Sequence, residues 1–382
     1  MKKLASKERL LRTIKGEPTD HIPVYAPIPR ELPMIAKRGY TGWQAEPNFQ
    51  TVATFALEHC DFFCRMNSIG SFNRGLLDRR FLLIPDEHIQ VSKEKEGART
   101  TSTYMVRTPK GDLRYVETVD DNIATTWVAE PLLKDKDDVE KLLSAPFSFD
   151  PPDLEAYRQE VADLGDAGLP LILVTTPLEC VSHLLEFQQF LMWCALERPA
   201  IVRLIEAAFE RIYIKLEWLL QNKIEPTIRF AGSEQATPPM MSLQYFEELS
   251  ARYDRALFEL VHKYDGIVHV HCHGKVKEIF PRLLDMGVDV LDPMEPPPDG
   301  DLTLAEAQRM TGGRMTLIGG LEFRDFELCT PDEIEVKTKE AIDQGGRTHY
   351  VLGPSAVAMT YICDRFRDNV IRFIETGLDY GK

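Results

Sequence analysis

The residues Ile267-Val268-His269-Val270-His271-Cys272-His273-Gly274 set three imidazoles at alternate positions. In a strand, successive side chains point to opposite faces. His269, His271 and His273 then share one face, and Val268, Val270 and Cys272 the other. Three imidazoles aimed one way on a strand that ends on glycine form a platform for a metal ion or for acid–base work, because imidazole is the commonest metal ligand and titrates near neutrality. The plainer alternative is a set of solvent-facing histidines at an exposed sheet edge. Imidazoles at i and i+2 plus a carboxylate from a neighbouring strand make an open zinc site, with a fourth position left for water or substrate. Glu295, in Asp292-Pro293-Met294-Glu295, is the first candidate for that carboxylate, and Glu234, in Gly232-Ser233-Glu234, is the second. Either carboxylate could instead orient a histidine from behind or pair with an arginine. Cys272 faces away from the imidazoles and reads as packing.

Other chemistry-bearing positions follow predicted strands. Arg30, in Ala26-Pro27-Ile28-Pro29-Arg30-Glu31-Leu32, either holds a substrate carboxylate bidentately or forms a surface ion pair. Met240 and Met241, in Pro238-Pro239-Met240-Met241-Ser242, either line an apolar pocket or fill core, and Ser242 reads as a helix cap. Gly319-Gly320-Leu321-Glu322 and Gly353-Pro354-Ser355 close two further strands. His183 reads as a helix-face histidine, and His349 as lying deeper or outside.

The elements that must position these residues follow a strand–helix rhythm. Ser6–Lys15 reads as an amphipathic N-terminal helix, His21–Tyr25 as a short strand and Phe62–Met66 as another. Between about 89 and 130 the pattern changes: Tyr104–Thr108 and Leu113–Val116, joined by Pro109-Lys110-Gly111-Asp112, read as a β-hairpin in an antiparallel insertion. Further strands are expected at Leu169–Thr175, Thr227–Ala231, Gly266–His273, Val288–Leu291, Met315–Gly319 and His349–Leu352. Helices are expected between them, at Val181–Ala195, Ala200–Gln221, Leu243–Tyr264, Val276–Met286, Leu304–Thr311 and Pro331–Gln344, with a last one at Tyr361–Thr376. Eight apolar strands alternating with helices imply an α/β fold, a (β/α)8 barrel with an N-terminal helical extension and an inserted hairpin, spanning 1–382 as one domain. A doubly wound sheet is the alternative, but no G-x-G-x-x-G follows any strand. In a barrel the chemistry gathers at the C-terminal strand ends, which places His271 and His273 near the mouth and His269 below it.

The composition fits such an enzyme. The chain has 382 residues, 44% of them apolar, and a net charge of -15 from 45 basic and 60 acidic residues. That balance argues against nucleic acid as a partner and against an anionic membrane surface. No basic–apolar leader follows Met1-Lys2-Lys3, and no run approaches the roughly 20 apolar residues of a membrane span. The seven cysteines form no CxxC pair, and a reduced cytoplasmic setting is expected.

The chain resembles the uroporphyrinogen decarboxylase superfamily, which includes the porphyrinogen decarboxylases and the barrel methyltransferases of corrinoid-dependent pathways. The likeness runs from Glu8-Arg9-Leu10-Leu11 and Gly16-Glu17-Pro18-Thr19-Asp20-His21-Ile22-Pro23-Val24 through Thr108-Pro109-Lys110-Gly111 and Glu234–Ser242. It continues to His271–Pro293, Gly319-Gly320-Leu321 and Thr330-Pro331-Asp332-Glu333. The decarboxylase branch fits poorly. Its R-Q-A-G-R-Y segment after the first strand is replaced by Ala26–Leu32 with Arg30 alone. Its acidic residue after the second strand is missing from Arg65-Met66-Asn67-Ser68, where Asn67 is left as the substrate contact. Its closing G-H-G is Gly353-Pro354-Ser355 here.

The methyltransferase branch fits better. The resemblance aligns His271 with the histidine of the H-x-C zinc motif, His273 with its cysteine and Ser355 with a second cysteine. It also matches the spacing from His273 to Glu295 with that of a glutamate ligand in cobalamin-independent methionine synthases. Both thiolates are absent, so a zinc ion here is a harder Lewis acid, suited to polarising an ether oxygen. The resemblance therefore implies a zinc-dependent methyltransferase that moves a methyl group from a methoxylated, plausibly aromatic, small molecule to a corrinoid protein, as an O-demethylase component. His271, His273 and Glu295 or Glu234 would hold the metal, with Glu234, His271 and His273 as the catalytic set and Arg30, Asn67, Met240 and Ser355 lining the substrate. The alternatives are a metal-free decarboxylase or lyase with His271 or His273 as general acid, and a tetrapyrrole-binding protein without turnover.

Overall fold

A computed structural model describes residues 3–68, 84–149, 151, 154–225 and 227–382. Its strands, among the described residues, are β1 (Phe63–Arg65), β2 (Ile89–Glu96), β3 (Arg99–Thr108), β4 (Gly111–Asp120), β5 (Ile123–Glu130), β6 (Leu169–Thr175), β7 (Thr227–Ala231), β8 (Ile267–His271), β9 (Val290–Met294), β10 (Thr316–Leu321) and β11 (Tyr350–Pro354). Seven of them form a parallel sheet in the order β1-β6-β7-β8-β9-β10-β11. The segment around Val24, expected as a full strand, makes a single parallel bridge to Leu352. On its other side the Val24 carbonyl accepts the Asp61 N–H at 2.8 Å. This extended segment therefore stands between the two edges of a curled sheet.

The sheet is buried on both faces, as the unbroken apolar run of β6 requires. Leu10, Tyr25, Phe63, Leu169, Leu171, Val290, Ile318 and Val351 form a small cluster on the inner face. A much larger one fills the space between the sheet and the helices. Helix starts are fixed by side-chain caps: Thr303 with Glu306 and Thr330 with Glu333 form reciprocal capping boxes. No helix among the described residues is long and apolar enough to cross a membrane.

Other elements also differ from the sequence reading: the strand expected to reach His273 ends at His271. The region from 89 to 130 is a four-stranded antiparallel sheet, β2-β3-β4-β5, rather than one hairpin. The β2 strand is exposed along nearly its whole length, so it carries no apolar alternation to read. The expected helix Val181–Ala195 is two helices, Pro177–Ser182 and Phe187–Leu196, because Glu186 caps a new start. The β9 strand runs on to Met294, whereas Asp292-Pro293 reads as a stop. Proline is tolerated where the ladder is irregular, and the β9–β10 register shifts there. Gly319 makes the close approach possible, since a Cβ on it would lie 2.4 Å from the Met294 carbonyl oxygen.

Candidate active site

The parallel ladder sets Arg229 beside His269, and His271 beside Asp292. These side chains therefore project from β7, β8 and β9 to the same side of the sheet. Asp292 is their hub. Its Oδ1 lies 2.8 Å from His269 Nε2 and 3.4 Å from His271 Nδ1. Its Oδ2 accepts from Arg30 and, at 3.3 Å, from Arg229. The Arg30 guanidinium also lies over the Tyr25 ring, 4.8 Å from its centre. Burial alone would raise the Asp292 carboxyl, but Arg229 and Arg30 hold it well below the usual carboxylate range. Burial pulls His269 and His271 down to about 4, with the charge of Arg229 adding to the effect on His271. Both imidazoles are therefore neutral at neutral pH.

A second cluster lies just past the strand ends. His273 Nδ1 is 2.9 Å from Glu295 Oε1, and the Gly274 N–H donates to Glu295 Oε2 at 2.5 Å. Burial opposes charge on both partners. Their mutual hydrogen bond outweighs it, so His273 rises and Glu295 falls from their ordinary values. Glu234 is pushed up to about 7, first by burial and then by the neighbouring carboxylate of Glu179, and among the described residues its Oε2 is buried without a hydrogen-bond donor. Glu179 stands in the first turn of Pro177–Ser182, which Thr176 caps, and His183 Nε2 lies 3.3 Å from its Oε1. Gly232 lets Glu179 approach: its φ is +113°, and a Cβ there would sit 2.2 Å from the Glu179 Cβ.

The family model for uroporphyrinogen decarboxylase (URO-D) matches residues 116–361. The chain belongs to the uroporphyrinogen decarboxylase family. Among solved structures it is similar to a methyltransferase from Methanosarcina mazei, with a TM-score of 0.58 and 16% identity over 98% of each chain. That likeness is one of fold. A B12-independent methionine synthase from Shewanella sp. W3-18-1, in complex with selenomethionine, is matched at a TM-score of 0.42 and 11% identity, over 77% of this chain and 76% of that one. No curated protein matches the sequence.

In this member of the uroporphyrinogen decarboxylase family, the residues singled out from sequence fall into several environments. His271, His273, Glu234 and Glu295 come together at the ends of β7, β8 and β9. The His271 and His273 rings are 4.5 Å apart, edge to face. Arg30 joins the Asp292 hub. Ser355 donates to Glu322 Oε2 at 2.8 Å and accepts the Phe323 N–H, which ties the ends of β10 and β11 together. The Asn67 N–H donates to Glu160, as does the Ser68 hydroxyl. Met240 is half exposed, whereas its neighbour Met241 is buried. Cys272 is fully buried on the helix side, and burial pushes its thiol well above the usual range. His349 stacks over Gly16, far in sequence from the imidazole strand.

Sequence reading missed Asp292, Arg229 and Glu179. Asp292 hides behind the apparent stop at Asp-Pro. Arg229 alternates inward within Thr227–Ala231, and its charge in an otherwise apolar strand was the available signal. Glu179 carries no signal of its own, since only the fold brings Gly232 against it.

Proposed function

We propose that this protein is a zinc-dependent methyltransferase that takes a methyl group from a methoxylated aromatic compound and passes it to a corrinoid carried by a partner protein. With the Val24 segment counted as the eighth strand, the sheet reads as a (β/α)8 barrel, and the cluster lies at its mouth, where such folds do chemistry. The observation that carries the proposal is the convergence of two imidazoles and two carboxylates, His271, His273, Glu234 and Glu295, on a fold shared with a methyltransferase.

Among the described residues, no three His, Cys, Asp or Glu side chains already form a metal cage. The donor chemistry nevertheless suits zinc. Glu234 Oε2 is a buried acceptor without a donor, and the adjacent Glu179 charge makes a cation welcome there. In this reading His271, His273 and Glu234 hold the ion, and Glu295 orients His273. Zinc bound to nitrogen and oxygen ligands would supply a hard Lewis acid for an ether oxygen. The protein contributes positioning: Glu295 fixes the ring of His273, and the Arg30–Asp292–Arg229 group anchors the floor.

The His273–Glu295 pair, with Glu234 near 7, also favours a second reading, a lyase that uses His273 as general acid. Metal content of the chain as purified, set against a His271→Ala/His273→Ala double variant, separates the two. About one zinc per chain, lost in the variant together with methyl transfer from methoxybenzoates to a Co(I) corrinoid protein, supports the methyltransferase. A chain that takes up no zinc, even when it is supplied, refutes the zinc mechanism and leaves the lyase.

A further inference from the structure

Asp292 faces two imidazoles with one oxygen. Its Oδ1 lies 2.8 Å from His269 Nε2 and 3.4 Å from His271 Nδ1, while Oδ2 accepts from both Arg30 and Arg229. The carboxylate cannot swing away, because guanidinium groups hold one oxygen and His269 the other. Its backbone is fixed too, since the Asp292 carbonyl accepts the Cys272 N–H at 2.8 Å.

An ionised carboxylate only accepts hydrogen bonds, and a neutral imidazole has one N–H and one bare nitrogen. If His271 Nδ1 were bare, a lone pair would face a buried negative oxygen. With Nδ1 protonated, the same contact is attractive. The nitrogen has no other outlet: among the described residues His271 Nδ1 is buried without a hydrogen bond, and the polar atom it faces is Asp292 Oδ1 at 3.4 Å. Yet 19% of the His271 side chain is exposed. Since Nδ1 is buried, the exposed part of the ring lies away from it.

We infer that Asp292 is a positioning residue that locks His271 as the Nδ1–H tautomer and turns the bare Nε2 toward the mouth. A carboxylate behind an imidazole sets which nitrogen is available and raises its basicity. The locked tautomer gives His271 one usable nitrogen, on the same side as His273 and Glu234. That this nitrogen meets zinc rests on the proposed function; the tautomer itself does not.

The test is a long-range 1H–15N correlation spectrum of the metal-free full chain, labelled with 15N-histidine, at neutral pH. The His271 signals are assigned from their loss in His271→Gln. The expected pattern is a protonated Nδ1 and a bare Nε2. In Asp292→Asn the amide can donate to Nδ1 as well as accept from it, so the lock is lifted and the Nε2–H form becomes populated. Zinc affinity, read by competition with a chromophoric chelator, should fall in that variant by roughly 10–100-fold. A wild-type His271 protonated on Nε2, or an even mixture, overturns the proposal. A folded Asp292→Asn chain with an unchanged tautomer overturns it as well. If that variant does not fold, the wild-type spectrum alone decides. If neither chain binds zinc, the zinc mechanism fails while the tautomer is still read.

Discussion

Two buried aspartates sit at opposite ends of the parallel strands, each held by arginine, and they differ in how completely they are satisfied. Asp61 lies just before β1. Its Oδ1 accepts from Arg9 Nη1 at 2.7 Å and its Oδ2 from the Val24 N–H at 3.2 Å. Arg9 uses its remaining donors on Asp20 and the Leu4 carbonyl, so the N-terminal helix Ser6–Ile14 is clamped to the base of the sheet. Asp292, near the end of β9, has more partners but leaves loose ends around it. Among the described residues, Arg30 Nη1, Arg229 Nε and the Tyr25 hydroxyl are buried donors without hydrogen-bond partners. A closed network gives up its stability when a member is removed. A network with unused donors is poised to engage something further, and such unsatisfied groups gather at functional sites. The base of the sheet is a closed structural network, and the strand ends are where the proposed chemistry lies.

The largest effect should come from breaking the closed network. Arg9→Gln strands the buried Asp61 carboxylate and should cost about 3–5 kcal/mol of unfolding free energy, as loss of one partner of a buried pair does. Its counterpart, Arg229→Gln, leaves Asp292 with Arg30 and His269, and burial already disfavours the Arg229 charge. It should cost clearly less than Arg9→Gln, because Asp292 keeps two partners. Urea unfolding of the two variants measures both. Equal costs would erase the distinction between the two ends.

The next effect is one of pH. Glu234 is pushed up to about 7 in the folded chain by burial and Glu179, against an ordinary 4.5. Between those values the folded state binds a proton that the unfolded state has released. Its contribution to stability is full below about 4.5 and is lost as the pH rises to about 7, a change of at most about 3 kcal/mol. Asp254, fully buried and accepting from the Ser250 hydroxyl, is also raised to about 7 and slopes the same way. The quantity to read is therefore the difference between the metal-free wild type and Glu234→Gln, from thermal unfolding across that range. The difference should shrink steadily as pH falls. A flat difference would place Glu234 in an ordinary solvated setting.

Much of this division was legible in the sequence, and what was not has a physical cause. Period-two spacing put His269 and His271 on one face, with His273 just past the strand end, and the apolar run Leu169–Thr175 implied a sheet covered on both sides. Family membership followed from motifs spread along the chain. Pairing across the ladder is another matter, because it depends on register. Nothing local tells that His271 lies beside Asp292 rather than beside Val290, and a slip of one residue would turn Asp292 away. The same holds for Met240 and Met241, adjacent and alike in chemistry, of which the fold buries only the second. Glu179 and Glu234 are 55 positions apart, and their repulsion exists only because Gly232 has no side chain. Local patterns reveal which residues could act, while the approach between distant segments decides how they are tuned.

The smallest predicted effect is also the most selective. Glu295 hydrogen-bonds His273 and Gly274, so Glu295→Gln keeps an oxygen for the Gly274 N–H and nearly the same volume. What it removes is the negative charge that raises His273 and fixes its ring. Stability should change by less than about 1 kcal/mol, while zinc affinity should fall by roughly tenfold, the lower end for loss of a group behind a ligand. The His273 pKa, followed by NMR titration of the metal-free chain, should drop toward or below its ordinary value, because burial then acts on it with less opposition. If Glu295 were itself a metal ligand rather than the partner of His273, zinc binding would collapse far beyond tenfold, since a ligand oxygen would lose its charge. The size of that single change therefore tells whether the second carboxylate holds the metal or the histidine, and whether the proposed site at the open end of the sheet has four ligands or three with a support.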